Sequence, residues 1–200
     1  MRAAQAFDII VDSVKLWWKD WANQVLVSLA MVLASLTIVL LPPALFGVYK
    51  ETLDLVHNTR TGISGWWIGF KQYFLKSLLW GLINLIIALV LLTNLWFYYN
   101  SQVDVAPLLV IVSIIMLIFW VVWQFYSLAC FFMQEQASFK LAWKNGFIVI
   151  IKNPLYTLII SLTMLAILIL SFYVYIPLVL GSIPLLTILS LLAVRATIEN

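Results

Sequence analysis

The chain of 200 residues is 65% apolar with a mean hydropathy of +1.10, against about 45–50% apolar in soluble proteins. Eleven Lys and Arg against eight Asp and Glu give a formal charge of +3. The basic residues stand beside apolar stretches and form no continuous patch, which excludes nucleic acid as the expected partner and marks them as topology signals. The length suits one domain, and so much apolar surface needs lipid to cover it. The single cysteine, Cys130, has no internal disulfide partner, and a metal site needs several ligands.

Residues 3–21 read as an amphipathic helix. Phe7, Ile10, Val14, Trp17, Trp18 and Trp21 recur on one face, with Asp8, Asp12, Lys15 and Lys19 opposite. A Trp-rich face backed by charges suits a helix lying in the headgroup region. The same three-Asp segment lacks the uninterrupted apolar core of a cleavable leader. Residues 24–41 form the first expected span. Pro42 and Pro43 break it, since proline lacks an N–H and clashes with the preceding turn. They also suit the first turn of a short helix over 43–58.

That helix opens apolar and then carries Lys50, Glu51 and Asp54. Two topologies compete. A single kinked span over 24–49 leaves Arg2, Lys15 and Lys19 outside. A turn at Pro42-Pro43 places every basic residue inside, as the positive-inside rule favours, and leaves Lys50 and Glu51 partway down a short crossing. The second is preferred. Lys50, Glu51 and Asp54, with Arg60 beyond, would then line a cytoplasmic groove for a partner protein or an anionic lipid headgroup.

Residues 61–72 read as a short interfacial helix. The G-x-x-x-G spacing of Gly65 and Gly69 lies outside an apolar 20-mer, so no dimerisation face is read there. Residues 73–99 and 107–133 are long apolar arms free of charge except Lys76 at the start. Each exceeds the roughly 20 residues that cross a ~30 Å hydrocarbon core, and each must be helical to satisfy its own backbone. Asn84 and Gln124 fall at comparable depth on these antiparallel arms and are expected to pair as an interhelical hydrogen bond.

A second amphipathic segment covers 139–151, and spans follow at 155–176 and 178–195. Amphipathic helix, short polar link and long apolar helix recur from Phe7, Trp66 and Phe139, a weak internal repeat. The expected architecture is an all-α polytopic transmembrane helical bundle. It has about six membrane helices, one of them short, both termini cytoplasmic, and interfacial helices on the inner side.

No phosphate-binding glycine loop, Cys/His spacing or nucleophile–base arrangement is present, so no catalytic, cofactor or metal residue is assigned. His57 reads as an interfacial or capping residue. Two further readings are carried: a small-solute channel using Asn84, Gln124, Thr93 and Asn94, and a lipid-directed enzyme using Glu51 or Asp54.

Several stretches resemble the YesL-like family of bacterial integral membrane proteins. They are Lys15-Leu-Trp-Trp, Leu41-Pro-Pro-Ala-Leu-Phe-Gly-Val-Tyr49, Gly69-Phe-Lys71, Leu141-Ala-Trp-Lys-Asn-Gly-Phe147 and Lys152-Asn-Pro-Leu155. Pro42-Pro43 stands where that family has Gly-Pro. The resemblance implies a bacterial cytoplasmic-membrane protein associated with carbohydrate uptake, with transporter subunits as partners. It supplies no catalytic residues. The leading expectation is a non-enzymatic accessory protein in the bilayer.

Overall fold

The computed structural model describes residues 3–174 and 180–199. Arg2, Pro177 and the expected boundary at 176–178 lie outside them. Among the described residues the fold is all helical: α1 Ala3–Lys19, α2 Trp21–Ser35, α3 Leu41–Val56, α4 Gly62–Gln72, α5 Phe74–Tyr99, α6 Ala106–Met133, α7 Phe139–Lys152, α8 Pro154–Val174 and α9 Ser182–Ile198. A 3₁₀ turn, Ile38–Leu40, joins α2 to α3. Helices α5, α6 and α8 are long and apolar enough to cross a membrane, while α2 and α9 are shorter apolar helices.

The internal repeat becomes three units of three helices. Each opens with a short helix, breaks at a single residue (Asp20, Tyr73 or Asn153), and continues into an apolar helix. The break residue's carbonyl then caps the new helix: Gln24 N, Ser77 N and Thr157 N donate to Asp20 O, Tyr73 O and Asn153 O at 3.1, 2.7 and 3.0 Å.

Each unit ends on a helix of the central trio. Helices α3, α6 and α9 contact one another, and each is covered by the short helix of the next unit: α4 on α3, α7 on α6, and α1 on α9. Small residues permit two of these crossings. A Cβ on Gly69 would lie 2.5 Å from Lys50 Cβ and 3.2 Å from Gly47 Cα, and one on Gly146 would lie 2.9 Å from Ser127 Cα. The G-x-x-x-G spacing therefore serves an intrachain crossing, the small-residue solution to close helix approach.

An indole N–H pins every crossing to a backbone carbonyl. Trp66 Nε1 donates to Ala44 O, Trp17 Nε1 to Gly181 O, and Trp123 Nε1 to Trp143 O, all at 3.0–3.1 Å. Tryptophans that composition assigns to belts are thus partly structural, with the polar edge satisfied inside the protein.

Helix directions follow from contacts. Pro42 abuts Gly81 while Phe46 reaches Tyr73, so α3 runs against α5. Tyr126 reaches Thr157 and Ser161, with Ile115 and Leu165 farther along one cavity, so α8 runs against α6. Helix α9 in turn runs against α8, with Tyr156 bonded to Ala193 O and Lys152 to Thr197 O. The central trio is therefore parallel. Every Lys and Arg among the described residues lies on the short helices, their links, or the helix ends near them. The opposite end has the apolar α2–α3 turn and the 100–105 loop, whose one charge is Asp104.

The core is aromatic. Phe46 packs against Tyr73, Trp80, Phe131, Phe132 and Phe139, with ring centroids 5.4–6.4 Å apart. Tyr49 OH lies 3.3 Å from both Phe125 O and Ser190 Oγ, tying α3, α6 and α9 together where they meet.

The expected boundaries shift at three places. The chain turns at 36–40, ahead of the prolines, and Pro42 and Pro43 occupy the first turn of α3. This is the hairpin topology rather than one kinked span. In α1 the residues packed on the bundle are Ala6, Ile9, Ile10, Ser13, Leu16 and Trp17, whereas Phe7, Val14 and Trp18, with Trp21 at the start of α2, face outward. The last helix begins at Ser182, after Gly181 in a left-handed conformation at φ 116°, a backbone region that suits glycine.

Candidate functional site

Most of the polar chemistry lies where α1 breaks into α2. Antiparallel packing of α2 on α3 sets Gln24, on the first turn of α2, beside Glu51. Glu51 therefore sits at the level of the α1–α2 break, at the charged end of the bundle and not in its apolar middle. Helical spacing aims Glu51 at α2 and its neighbour Lys50 at α4. Lys50 and Asp54, four residues apart, form an ion pair, and Thr61 Oγ1 donates to Asp54 Oδ2 at 3.3 Å. This pair lies under α4, against Gly65 and Gly69.

Glu51 is wholly buried, and so is Gln24. Gln24 Nε2 donates to Glu51 Oε1 at 2.9 Å and, more weakly, to Asp20 Oδ2 at 3.4 Å. Asn23 Nδ2 donates to Asp20 Oδ1 at 3.0 Å. Asp20 is 8% exposed. Two acidic groups thus share one amide, and neither has a cationic partner among the described residues.

The four expected groove residues consequently do not line one surface. Lys50 and Asp54 are paired and mostly covered, Glu51 is enclosed on the other side of α3, and Arg60 stands in the exposed 57–61 link. Periodicity placed them on one helix; burial divides them. The residues that sequence reading missed are Asp20 and Gln24. Their signal was weak, since an acid and an amide beside an apolar helix usually mark only its start.

Asn84 and Gln124 share a cavity of about 290 Å³ with Leu45, Tyr49, Trp80 and Trp120. They do not bond to each other there. Asn84 Nδ2 donates to Trp80 O at 2.9 Å in its own helix, and both Gln124 amide atoms are buried without a partner. Thr93 and Asn94 are exposed near the far end of α5. A larger groove of about 520 Å³ runs between Ile38–Leu45 and Leu78–Ala88. Cys130 is buried and forms no disulfide, and no cluster of three or more metal-ligating side chains occurs among the described residues.

The geometry defines a helical, membrane-compatible protein with a carboxylate-rich joint at its charged end. No known protein family, curated protein or solved structure matches the chain.

Proposed function

We propose that the chain is a non-enzymatic accessory or scaffold protein of the bacterial cytoplasmic membrane, packing laterally against a larger membrane complex. The observation behind this reading is the uncovered α5, continued by the exposed first half of α6. Only Ser77 and Trp80 of the 26 residues of α5 are buried, and apolar grooves of about 290 and 520 Å³ run along it. The centre of the bundle, by contrast, is filled by Phe46, Tyr49 and the rings around them. A filled centre favours lateral packing over a small-solute channel through Asn84, Gln124, Thr93 and Asn94. The resemblance to YesL-like proteins adds the class of complex, a carbohydrate-uptake system whose transporter subunits are the partners.

In this reading α2, α3, α5, α6, α8 and α9 are the six membrane helices, and both termini are cytoplasmic. The α2–α3 pair enters from the charged side without reaching the other. Its helices, of 15 and 16 residues, are about 22–24 Å long, short of a ~30 Å core. Its tip is apolar, with Leu36 and Ile38 about four-fifths exposed. The tip backbone closes on itself, with Thr37 N on Ala34 O and Leu40 N on Thr37 O, as the lipid interior requires. In a Cys130→Ala background, Ser101→Cys is expected to react with a membrane-impermeant thiol reagent added outside, and Thr37→Cys to resist it from either side. Equal labelling of both would make α2 and α3 complete crossings.

The functional reading is tested by crosslinking in native membranes, purification in mild detergent and mass spectrometry of what is retained. Transporter subunits are expected in stoichiometric yield, joined through α5 and α6. Recovery of the chain alone would overturn the accessory reading, and solute flux in liposomes would then test the channel.

A further inference from the structure

The three units make the first one conspicuous. Four residues past each break stands a buried polar side chain: Gln24, Ser77 and Thr157. In the second and third units its hydroxyl bonds to carbonyls of the local backbone, Ser77 Oγ to Phe74 O at 2.7 Å and Thr157 Oγ1 to Asn153 O at 3.0 Å. In the first unit the same position reaches across to a second helix and joins two carboxyl groups.

The donors at that joint are the amide groups of Asn23 and Gln24. Their protons go to Asp20 and Glu51, which leaves Glu51 Oε2 and Gln24 Oε1 buried with no partner, and Ser28 Oγ, one turn along α2, in the same state. An unpaired buried acceptor costs about 1–3 kcal/mol, and an uncompensated buried charge costs more. The arrangement lacks one positive charge and one donor, and a single proton supplies both.

The surrounding charges do not supply it. Asp20, on the same amide, and Asp54, three residues along α3, are both negative. Lys50 is engaged by Asp54 on the α4 side, Lys71 of α4 lies over the Trp67 ring, and Arg195 of α9 pairs with Glu199. Lys15 of α1 pairs with Asp12, Lys19 of α1 and Lys76 of α5 are exposed, and α6 carries no charged side chain.

We propose that Asp20, Gln24 and Glu51 form a binding site for one proton at the joint between α1 and α2. The proton resides on Glu51, whose other oxygen accepts from the Gln24 amide that also reaches Asp20. Its loss places two like charges on either side of that amide, so proton binding is coupled to how α1 is seated against the bundle. The inference is independent of the accessory reading, because it concerns the chain alone.

The folded chain holds this proton more tightly than the unfolded chain. Its stabilising contribution is complete where the carboxyl is protonated in both states and is lost as rising pH ionises it. The test is thermal unfolding of the full chain in zwitterionic nanodiscs with choline chloride, stepped from pH 5 to pH 9. The wild-type midpoint is expected to fall by roughly 5 °C or more over that range, and the fall is expected to vanish in Glu51→Gln. An infrared carbonyl band of a protonated carboxyl, present in the wild type at pH 5 and lost by pH 9, reads the same proton without depending on how the variant folds. A fall that persists unchanged in Glu51→Gln, or a wild type with neither a fall nor a band, would overturn the site. A midpoint raised at pH 9 by sodium chloride in place of choline chloride would assign the site to a metal cation and overturn the proton.

Discussion

Gly69→Leu is expected to lower the unfolding midpoint in detergent by several degrees, equivalent to about 3 kcal/mol. The first carbon of any side chain at Gly69 already meets Lys50 Cβ at 2.5 Å and Gly47 Cα at 3.2 Å. The second contact is backbone, which cannot rotate away, so α4 must lift from α3. Lifting α4 also withdraws the Trp66 indole from Ala44 O and loosens the cover over the Lys50–Asp54 pair. Ile68→Ala, an exposed position on the same helix, serves as the control and is expected to cost little. Equal midpoints for the two variants would mean that α4 does not cross α3 through its glycines.

Gln24→Leu carries the second large effect, a loss of roughly 2–3 kcal/mol in the same assay at neutral pH. The side chain is the sole observed donor to Glu51, and leucine would leave that carboxyl enclosed with no hydrogen bond. The double variant Gln24→Leu with Glu51→Leu removes the stranded group as well. It is expected to recover much of the stability, because an apolar pair can replace a buried polar one at little cost. Simple additivity of the two single changes would show that the residues are not coupled.

The long helices were legible because charge-free apolar runs leave few alternatives, and α5 and α6 fall within a residue of the expected boundaries. The internal repeat was legible for the same reason, since three amphipathic segments each feed an apolar one. What those segments pack against was not. Helical spacing divides α1 into faces, but the side holding Phe7, Trp18 and Trp21 faces outward, while Ala6 and Ser13 make the contact with the bundle. Small residues carry little hydropathy and so drop out of such a pattern, although close crossings depend on them. The same blindness applied to Gly65 and Gly69. Lys50 and Glu51 are adjacent in sequence, yet one is paired under α4 and the other enclosed against α2. That division depends on two neighbouring helices, which the local sequence of α3 cannot encode. The pairing expected of Asn84 and Gln124 placed both amides correctly on facing helices, but Asn84 instead bonds to its own backbone.

The seating of α1 on α9 also has a consequence for biosynthesis. Each central helix is clasped by the short helix of the following unit, and the last is clasped by the first. A chain emerging from its amino terminus acquires the α3–α4 and α6–α7 clasps in turn, as each new segment appears. The first segment meets α8 earlier, but its contact with α9 forms only when the final helix has been made. Closure of the ring of clasps therefore waits for α9, the last helix of the described chain. A chain stopped before Ser182 would retain two of its three clasps and leave α1 only its contact with α8.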